Sequence, residues 1–208
     1  DDNYNISVEV MNPQWVISFP AVIDDVASNT TSDFQVSFTP KNNVTAAEHL
    51  FTIVATSQGN TSRFDSTIVG ITINQYYGLR VIMPLDYQKV FPGNTLFYPV
   101  KIINDGNGED TFDLYTSSDW GAQTRIDGSP SGEITLAAFR SVDAELKIVV
   151  PDTVSVNDFK EIPFTAISQG DSTISISKVS NTSIGIMRAE DAVRGILPGE
   201  SSSFNFEF

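Results

Sequence analysis

The stretch Ala55-Thr-Ser-Gln-Gly59 recurs 111 residues later as Ala166-Ile-Ser-Gln-Gly170, and this repetition decides how the chain is organised. A second pair of motifs, Phe91-Pro-Gly93 and Leu197-Pro-Gly199, recurs at a spacing of 106 residues. A repeat of this length corresponds to one small domain. The 208 residues therefore hold close to two copies of one structural unit.

Runs of alternating apolar and polar residues lie between these motifs. Phe34-Gln-Val-Ser-Phe38 is followed by Pro40, Leu146–Val149 is followed by Pro151, and Phe204-Asn-Phe-Glu-Phe208 shows the same alternation. Gly, Asn, Asp and Pro interrupt the runs at the spacing typical of short strands. Period-two alternation predicts antiparallel sheets with one buried face.

We therefore predict an all-β fold of two immunoglobulin-like antiparallel β-sandwiches in tandem, plus a C-terminal strand segment. The expected divisions are a sandwich lacking its first strands (1–76), a complete sandwich (77–186), and a linker with the C-terminal strand (187–208). Helical patterns are scarce, the best being Met187–Val193 and one turn at Ala46–Leu50. Alternate strand residues should form the two cores: Val36, Phe38, Ile53 and Ile71 in the first, and Val100, Ile102, Phe112, Leu146, Ile148 and Phe164 in the second.

The order of motifs in the second copy matches a known group of proteins. Pro92-Gly93, a strand through Phe97 and Val100, the turn Ile103–Gly108 and the strand Asp110–Leu114 follow one another before a tryptophan. This order resembles the immunoglobulin-like repeats of archaeal and bacterial secreted surface proteins, in the cell-adhesion-related and alpha-galactosidase-associated families. The resemblance implies a stalk, spacer or adhesion module with no catalytic residues to carry over.

Composition excludes several classes of function. The apolar fraction of 40% is enough for a packed core, and no apolar run is long enough to insert in a membrane. With no cysteine and only His49, the chain has no thiolate nucleophile, Cys-ligated metal or His-pair metal motif. A formal charge of −14 makes nucleic acid and anionic lipid poor partners. We predict that the chain is not an enzyme and that it needs no cofactor.

Five acceptor sequons point to an extracellular or cell-surface glycoprotein: they begin at Asn5, Asn29, Asn43, Asn60 and Asn181. The alternative is that these are ordinary polar turn and strand residues. Secretion without disulfides fits a prokaryotic or archaeal surface. The opening Asp1-Asp2-Asn3, without Met or leader, leads us to expect a mature, processed or cropped chain.

The acidic loop between the second copy's strands is the densest polar cluster. Oxygens of Asp105, Asn107, Glu109 and Asp110 alternate with glycines, and a structural calcium ion is one interpretation. The leading interpretation is a hairpin turn, because Asp-Gly and Asn-Gly supply the positive φ that such turns need. The loop lacks the EF-hand spacing.

Aromatic and acidic pairs have simpler interpretations than binding or catalysis. We expect Trp15 and Trp120 to pack in the cores rather than to bind sugar rings. Tyr76-Tyr77 is either packing at the junction or a small binding surface, and Asp24-Asp25, like Asp1-Asp2, is solvated charge in a loop rather than a glycosidase pair. His49 has no partner for metal or base chemistry.

The last inference concerns strands that the first copy lacks. Aligning the tryptophans sets Ile6–Val10 against Thr111–Tyr115, which leaves no counterpart for the strands that open the second copy. Phe204, Phe206 and Phe208 are the predicted anchors of a donor strand that supplies them. With the sandwiches in series, the expected acceptor is a neighbouring chain, giving head-to-tail self-association into a surface filament or array.

Three alternatives to this interpretation stay open. They are closure within one chain, a crop from a longer tandem array, and an adhesion or carbohydrate-binding module of a larger secreted protein that binds surface glycans.

Overall fold

A computed structural model of the chain describes residues 1–9 and 13–185. These residues form sixteen β-strands and no helix, so the fold is all-β, as predicted. No helix in this part of the chain is long and apolar enough to cross a membrane. The chain divides into two units: unit 1 is Asp1–Tyr77 with Gly106–Glu109, and unit 2 is Gly78–Asp105 with the residues from Asp110 onward.

Six strands form unit 1: β1 (Asp2–Glu9), β2 (Trp15–Ser18), β3 (Val22–Val26), β4 (Ser37–Pro40), β5 (Ala47–Ser57) and β6 (Phe64–Ile73). A four-stranded sheet has the order β3-β1-β5-β6, and a two-stranded sheet pairs β2 with β4. All of these pairings are antiparallel. The turn expected at Ala46–Leu50 is wrong, because His49 and Leu50 pair with Ile71 and Gly70 of β6.

Ten strands form unit 2: β7 (Leu79–Ile82), β8 (Tyr87–Val90), β9 (Thr95–Asn104), β10 (Asp110–Thr116), β11 (Gly121–Ile126), β12 (Ser129–Pro130), β13 (Glu133–Leu136), β14 (Ser141–Val149), β15 (Phe159–Ser168) and β16 (Ser175–Ile184). They make two five-stranded sheets, β13-β10-β15-β16-β8 and β12-β11-β14-β9-β7. The pairing of β8 with β16 is parallel, which corrects the expectation of purely antiparallel sheets.

The two units share one pairing pattern. In unit 1 the order β3-β1-β5-β6 repeats β13-β10-β15-β16, and the pair β2-β4 repeats β11-β14. The described part of unit 1 has no counterpart of β7, β8, β9 or the two-residue β12. Both units are built on an immunoglobulin-like plan of packed sheets, and unit 2 has the larger number of strands.

The strand register corrects two alignments made from sequence. Ala55 lies opposite Ile6 and Ala166 lies opposite Leu114, so Ile6 corresponds to Leu114 and not to Thr111. The reason is that the connection from β1 to Trp15 is longer than the one from β10 to Trp120.

The sequence aligns Pro40 with Pro151, and the pairing of strands shifts this match by one residue. Trp15 pairs with Pro40 and Gly121 pairs with Val149. Pro40 therefore corresponds to Val150, one residue before Pro151.

The predicted core is right in unit 2 and only partly right in unit 1. All six residues expected in the second core are buried, as the alternation along β9 and β14 requires. The four residues expected in the first core are only partly buried. Its buried centre is Trp15, Val44 and Phe51, against which Phe38 and Ile71 pack.

Candidate functional site

Within the described chain, three strands of unit 1 lack a neighbour that their counterparts in unit 2 possess: β2 lacks only the two-residue strand β12, whereas β4 and β6 lack longer strands. β14 lies between β11 and β9, whereas β4 pairs with β2 alone among the described strands. β16 lies between β15 and β8, whereas β6 pairs with β5 alone in the same part of the chain. A strand edge presents backbone NH and CO groups that can pair with another strand. The edges of β4 and β6 are therefore the candidate functional site.

The strand β4 is also shorter than its counterpart. β14 has nine residues and is paired on both sides, while β4 has four residues, Ser37–Pro40. Phe34 and Val36 continue the alternation of β4 but lie outside it. The strand expected at Phe34–Phe38 thus begins three residues late, because the described chain places no strand beside residues 34–36.

The inner face of the four-stranded sheet is incompletely covered next to this edge. Phe164 and Ala166 of β15 have 0% exposure, whereas their counterparts Ile53 and Ala55 in β5 are only partly buried. Phe34 is 40% exposed. The side chains that cover this face in unit 2 come in part from β9, where Tyr98, Val100 and Ile102 are buried.

A groove with a volume of about 240 Å³ opens over this face. Its lining is mostly apolar and includes Tyr4, Ile6, Ile23, Val26, Phe34 and Ala55. A groove of this chemistry accepts apolar side chains, because moving them out of water is favourable.

Aromatic packing holds together the core that unit 1 has. The ring centroids of Trp15 and Phe51 are 5.0 Å apart in an edge arrangement, and those of Phe38 and Phe51 are 4.7 Å apart. His49 lies 5.3 Å from Trp15, ring to ring, and its Nε2 is within hydrogen-bond distance of a backbone carbonyl. Trp15 and Trp120 are both buried in their cores, which confirms their predicted role in packing.

A carboxylate occupies the same place at the start of β1 and of β10. Asp2 accepts hydrogen bonds from the Ser57 hydroxyl at 2.5 Å and from the amide two residues later at 3.1 Å. Asp110 accepts the same two bonds at the same distances from Ser168 and the amide two residues later. The Ser57 hydroxyl, followed by that amide, holds the pKa of Asp2 below its usual value. The repeated Ser-Gln-Gly motif thus binds a carboxylate.

This pair of carboxylates was missed from the sequence. Asp2 was expected to be solvated charge in a loop, whereas it lies in β1 and is hydrogen-bonded. The available signal was that Asn5 and Asp113 follow the two carboxylates at equal spacing. Each of them accepts a hydrogen bond from the glutamine of the Ser-Gln-Gly motif, at 2.8 and 2.7 Å.

The four residues considered for calcium bind different protein partners. Asp105 makes two 2.9 Å contacts with the guanidinium of Arg80, and Asp110 accepts a hydrogen bond from the Ser168 hydroxyl. Asn107 is buried, and its side chain bonds two backbone groups of unit 1. The carbonyl of Glu109 accepts a side-chain amide at 2.9 Å. Among the described residues no three acidic or histidine side chains are grouped to hold a metal ion. A hairpin turn stays the leading interpretation of this loop, and a structural calcium ion stays the alternative.

The five sequons differ in their surroundings. Asn29 and Asn43 lie in exposed turns, Asn60 is exposed just after β5, and Asn5 is exposed within β1. Asn181 lies in β16, partly buried, with its side-chain amide donating to a carbonyl at 3.2 Å. The four sequons of unit 1 are accessible to modification, and glycosylation stays a prediction.

Two further pairs are placed by the structure. Asp24 and Asp25 are exposed, as expected for solvated charge, but they lie in the strand β3 rather than in a loop. Tyr76 is 50% exposed and its backbone amide donates to the side chain of Asn107 at 2.8 Å, while Tyr77 is partly buried.

The predicted anchors Phe204, Phe206 and Phe208 lie outside the described residues, as do Met187–Val193 and Leu197–Gly199. The structure adds the edges that such a segment can pair with. Sequence reasoning did not identify these edges, because an edge is defined by the pairing of strands far apart in the chain.

No family model matches the chain, and no curated protein is similar in sequence. Among solved structures, domains 1–6 of the surface layer protein SbsC align with 90% of this chain and 21% of that chain, at 12% identity and a TM-score of 0.38. BcpA, the major pilin subunit of Bacillus cereus, aligns with 88% of this chain and 70% of that chain, at 9% identity and a TM-score of 0.29.

A third similar structure is the ASH/PapD-like domain of human CEP192. It aligns with 53% of this chain and 87% of that chain, at 11% identity and a TM-score of 0.35. Likenesses at this level carry no argument about function, which must come from the chain's own geometry.

Proposed function

We propose that the chain is a non-catalytic structural protein of the extracellular space or cell surface. In this proposal the C-terminal segment of one copy acts as a donor strand that completes unit 1 of a neighbouring copy. One observation carries the proposal. Unit 1 repeats the pairing of six strands of unit 2 but, in the described chain, lacks counterparts of β7, β8 and β9 beside β4 and β6.

Strand addition would remove two unfavourable features of unit 1 together. The edges of β4 and β6 would gain main-chain hydrogen bonds, and the apolar groove would gain side chains that exclude water. Phe204, Phe206 and Phe208 are suited to this, since alternate residues of a strand point to one face.

The geometry of unit 2 favours a neighbouring copy as the acceptor. The chain enters unit 2 at Gly78, whose carbonyl accepts the amide of Asp105 at 3.0 Å. At the same end of unit 2, Asp110 accepts a hydrogen bond from Ser168, the last residue of β15, and β16 begins after the turn that follows. The ten residues of β16 then run to the opposite end, about 33 Å away.

The linker that follows is about as long as this path. Residue 193 lies at most about 29 Å from Gly185 when residues 186–192 are fully extended. A donor segment of the same chain would therefore reach unit 1 only with the whole linker stretched back along unit 2, which favours a neighbouring copy. Donation to a neighbour is head-to-tail, and contacts of this kind propagate into a filament when they do not close into a ring.

The surface location is supported by composition. Four accessible sequons lie in unit 1, and a charge of −14 keeps a β-rich chain soluble. Peptide mapping of native material by mass spectrometry tests this point. We expect glycans at Asn29, Asn43 and Asn60, and unmodified asparagine at all five sequons would remove this support.

Assembly is tested by altering the donor segment. We expect the intact chain to form concentration-dependent oligomers in sedimentation velocity and filaments in electron micrographs. Replacing Phe204, Phe206 and Phe208 together by serine should leave monomers. The matched control replaces Asn205 and Glu207, which alternate with the phenylalanines, by serine and should still assemble. An intact chain that stays monomeric at high concentration, or equal assembly of both variants, contradicts the proposal.

A further inference from the structure

Resting on the proposed function, we infer a specific acceptor and register for the donor strand. Residues 201–208 of a second copy lie antiparallel to β4 and the residues before it, as β9 lies beside β14. Phe204 is then opposite Val36, and Phe206 is opposite Phe34. The four residues 193–196 run parallel to β6, as β8 runs beside β16.

The donor segment aligns in sequence with β9. Gly93 has a φ of +78°, a conformation that favours glycine, in the turn that leads into β9. Leu197-Pro-Gly199 repeats the sequence of Phe91-Pro-Gly93. Continuing from the glycine without gaps, the three phenylalanines fall on Tyr98, Val100 and Ile102.

These three positions of β9 all point into the core. Tyr98 and Ile102 have 0% exposure and Val100 has 2%. The residues between them, such as Pro99, are exposed or half-exposed. The donor segment repeats this pattern, with phenylalanine at each inward position and Asn205 and Glu207 at the outward ones.

The acceptor strand β4 aligns with β14 through the pairing of each with its neighbour. Phe38 pairs with Ile17, and Ile148 pairs with Ala122 in the same place of unit 2. Phe38 therefore corresponds to Ile148, so that Val36 corresponds to Leu146 and Phe34 to Ala144.

The partners follow from the pairing in unit 2. Tyr98 lies opposite Leu146 and Val100 lies opposite Ala144. The donor phenylalanines therefore face Val36 and Phe34. Phe34 is 40% exposed and lines the groove, so an inward phenylalanine beside it would meet apolar surface.

The side chain that contacts Tyr98 in unit 2, and its counterpart in unit 1, support this register independently. In unit 2 the Tyr98 hydroxyl lies 2.9 Å from the Thr182 hydroxyl and donates to the Asn181 carbonyl at 2.6 Å. In unit 1 the counterpart of Thr182 is Ile71, by the pairing of β5 with β6. The donor residue at the tyrosine position is Phe204, which has no hydroxyl. A polar pair in one unit thus corresponds to an apolar pair in the other.

The β6 edge follows from the parallel pair in unit 2. Tyr87–Val90 of β8 pairs with Asn181–Ile184 of β16. The counterparts are Val193–Ile196 in the donor and Gly70–Ile73 in β6. Strand addition at β4 would cover the groove, and addition at β6 would satisfy the backbone groups of the second edge.

Cysteine cross-linking tests the register directly, because the chain contains no cysteine. Directly opposite residues of an antiparallel pair have Cα atoms within disulfide range. Gln35 is exposed, and the register places it opposite the outward Asn205. We mix the single variants Q35C and N205C under mild oxidation and map the linked peptides. T72C, at the exposed edge of β6, replaces Q35C in the matched control.

The outcomes separate this inference from the proposed function. We expect disulfides between chains that join position 35 to position 205, and few that join position 72 to position 205. Assembly that needs the phenylalanines but links T72C to N205C would overturn the register and leave the proposed function standing. Links confined to one chain, in the double variant Q35C/N205C, would overturn both. Unchanged assembly of the triple serine variant would also overturn both.

A charge variant tests the same register without cross-linking. Lys101 of β9 pairs with Asp143 of β14 at 3.2 Å, and the corresponding residues are Glu207 and Asp33, which have like charge. We expect E207K to tighten association about two- to tenfold, because an opposite-charge pair replaces a like-charge pair. E200K makes the same change of net charge outside the donor strand, so equal tightening by both variants would contradict the register.

Discussion

Unit 1 and unit 2 follow the same strand pairing, yet they differ greatly in what they bury. Unit 2 holds a single cluster of seventeen buried apolar residues, whereas the corresponding cluster in the described part of unit 1 has three. Ile53 in unit 1 and Phe164 in unit 2 are both apolar and occupy matching positions, but Phe164 is fully buried and Ile53 is only partly buried. The difference shows that the burial of a strand residue depends on the neighbouring strands as well as on its own alternation.

The largest expected effect is a core truncation in each unit. Phe164→Ala in unit 2 should lower the free energy of unfolding by about 3–5 kcal/mol, because a fully buried ring leaves a cavity. Ile53→Ala at the matched position should cost less than about 2 kcal/mol in a chain without residues 197–208, since Ile53 is only partly buried.

Each unit has its own reporter for this experiment. Trp15 lies in unit 1 and Trp120 in unit 2, and the chain has no other tryptophan. Denaturant unfolding of variants with a single tryptophan therefore follows one unit at a time. Equal losses in the two units would mean that unit 1 is as well packed as unit 2.

The second effect is the loss of the carboxylate at the start of β10. Asp110→Ala should destabilise unit 2 by about 1–3 kcal/mol, because the Ser168 hydroxyl and the following amide would lose a buried acceptor. Asp2→Ala should cost unit 1 less, since Asp2 is more exposed. Asp152→Ala, at an exposed position, is the control for loss of charge. An effect of Asp110→Ala no larger than this control would contradict the assignment.

The third effect is a dependence of unit 1 on pH. The pKa of Asp2 is lowered from its ordinary value of 3.8, so its ionised form is favoured in the folded state. Its stabilisation is therefore complete above the ordinary pKa and is lost as pH falls through the lowered one. Acid unfolding followed by Trp15 should show this loss, and Asp2→Asn should remove it. An unchanged acid transition in that variant would disprove the role of Asp2.

The smallest effect is expected from calcium. Asp105 and Asp110 already bind Arg80 and Ser168, so an ion would have to replace those contacts. We expect that neither EDTA nor millimolar calcium shifts the melting temperature of unit 2. A rise in melting temperature with calcium, absent in Asp105→Asn, would instead establish a metal site in this loop.

Local alternation was sufficient to predict the strands of unit 2 through Phe97 and Val100, at Asp110–Leu114 and at Leu146–Val149, and all six of its named core residues. It was insufficient at Phe34–Phe38 and Ala46–Leu50. Phe34 and Val36 lack a described strand beside them, and Ala47–Leu50 is held in β5 by its pairing with β6. The register errors at Ile6 and Pro40 have a similar cause, because loop lengths differ between the units while pairing is retained.

The candidate site was harder to predict for the same reason. Phe204, Phe206 and Phe208 were recognisable from their alternation, but the edges that can receive them are set by the order of strands in two sheets. The role of Asp2 depends on the fold of a turn 55 residues away. Neither kind of information is present in a local pattern.

Amide hydrogen exchange of the intact chain and of a chain ending at residue 196 tests the central claim most directly. In the intact chain we predict that residues 30–40 and 64–73 of unit 1 exchange as slowly as their counterparts 140–150 and 175–184 in unit 2. Removing residues 197–208 should speed exchange in 30–40 and leave 140–150 unchanged. Identical exchange of residues 30–40 in the two chains would contradict the claim that the C-terminal segment completes unit 1.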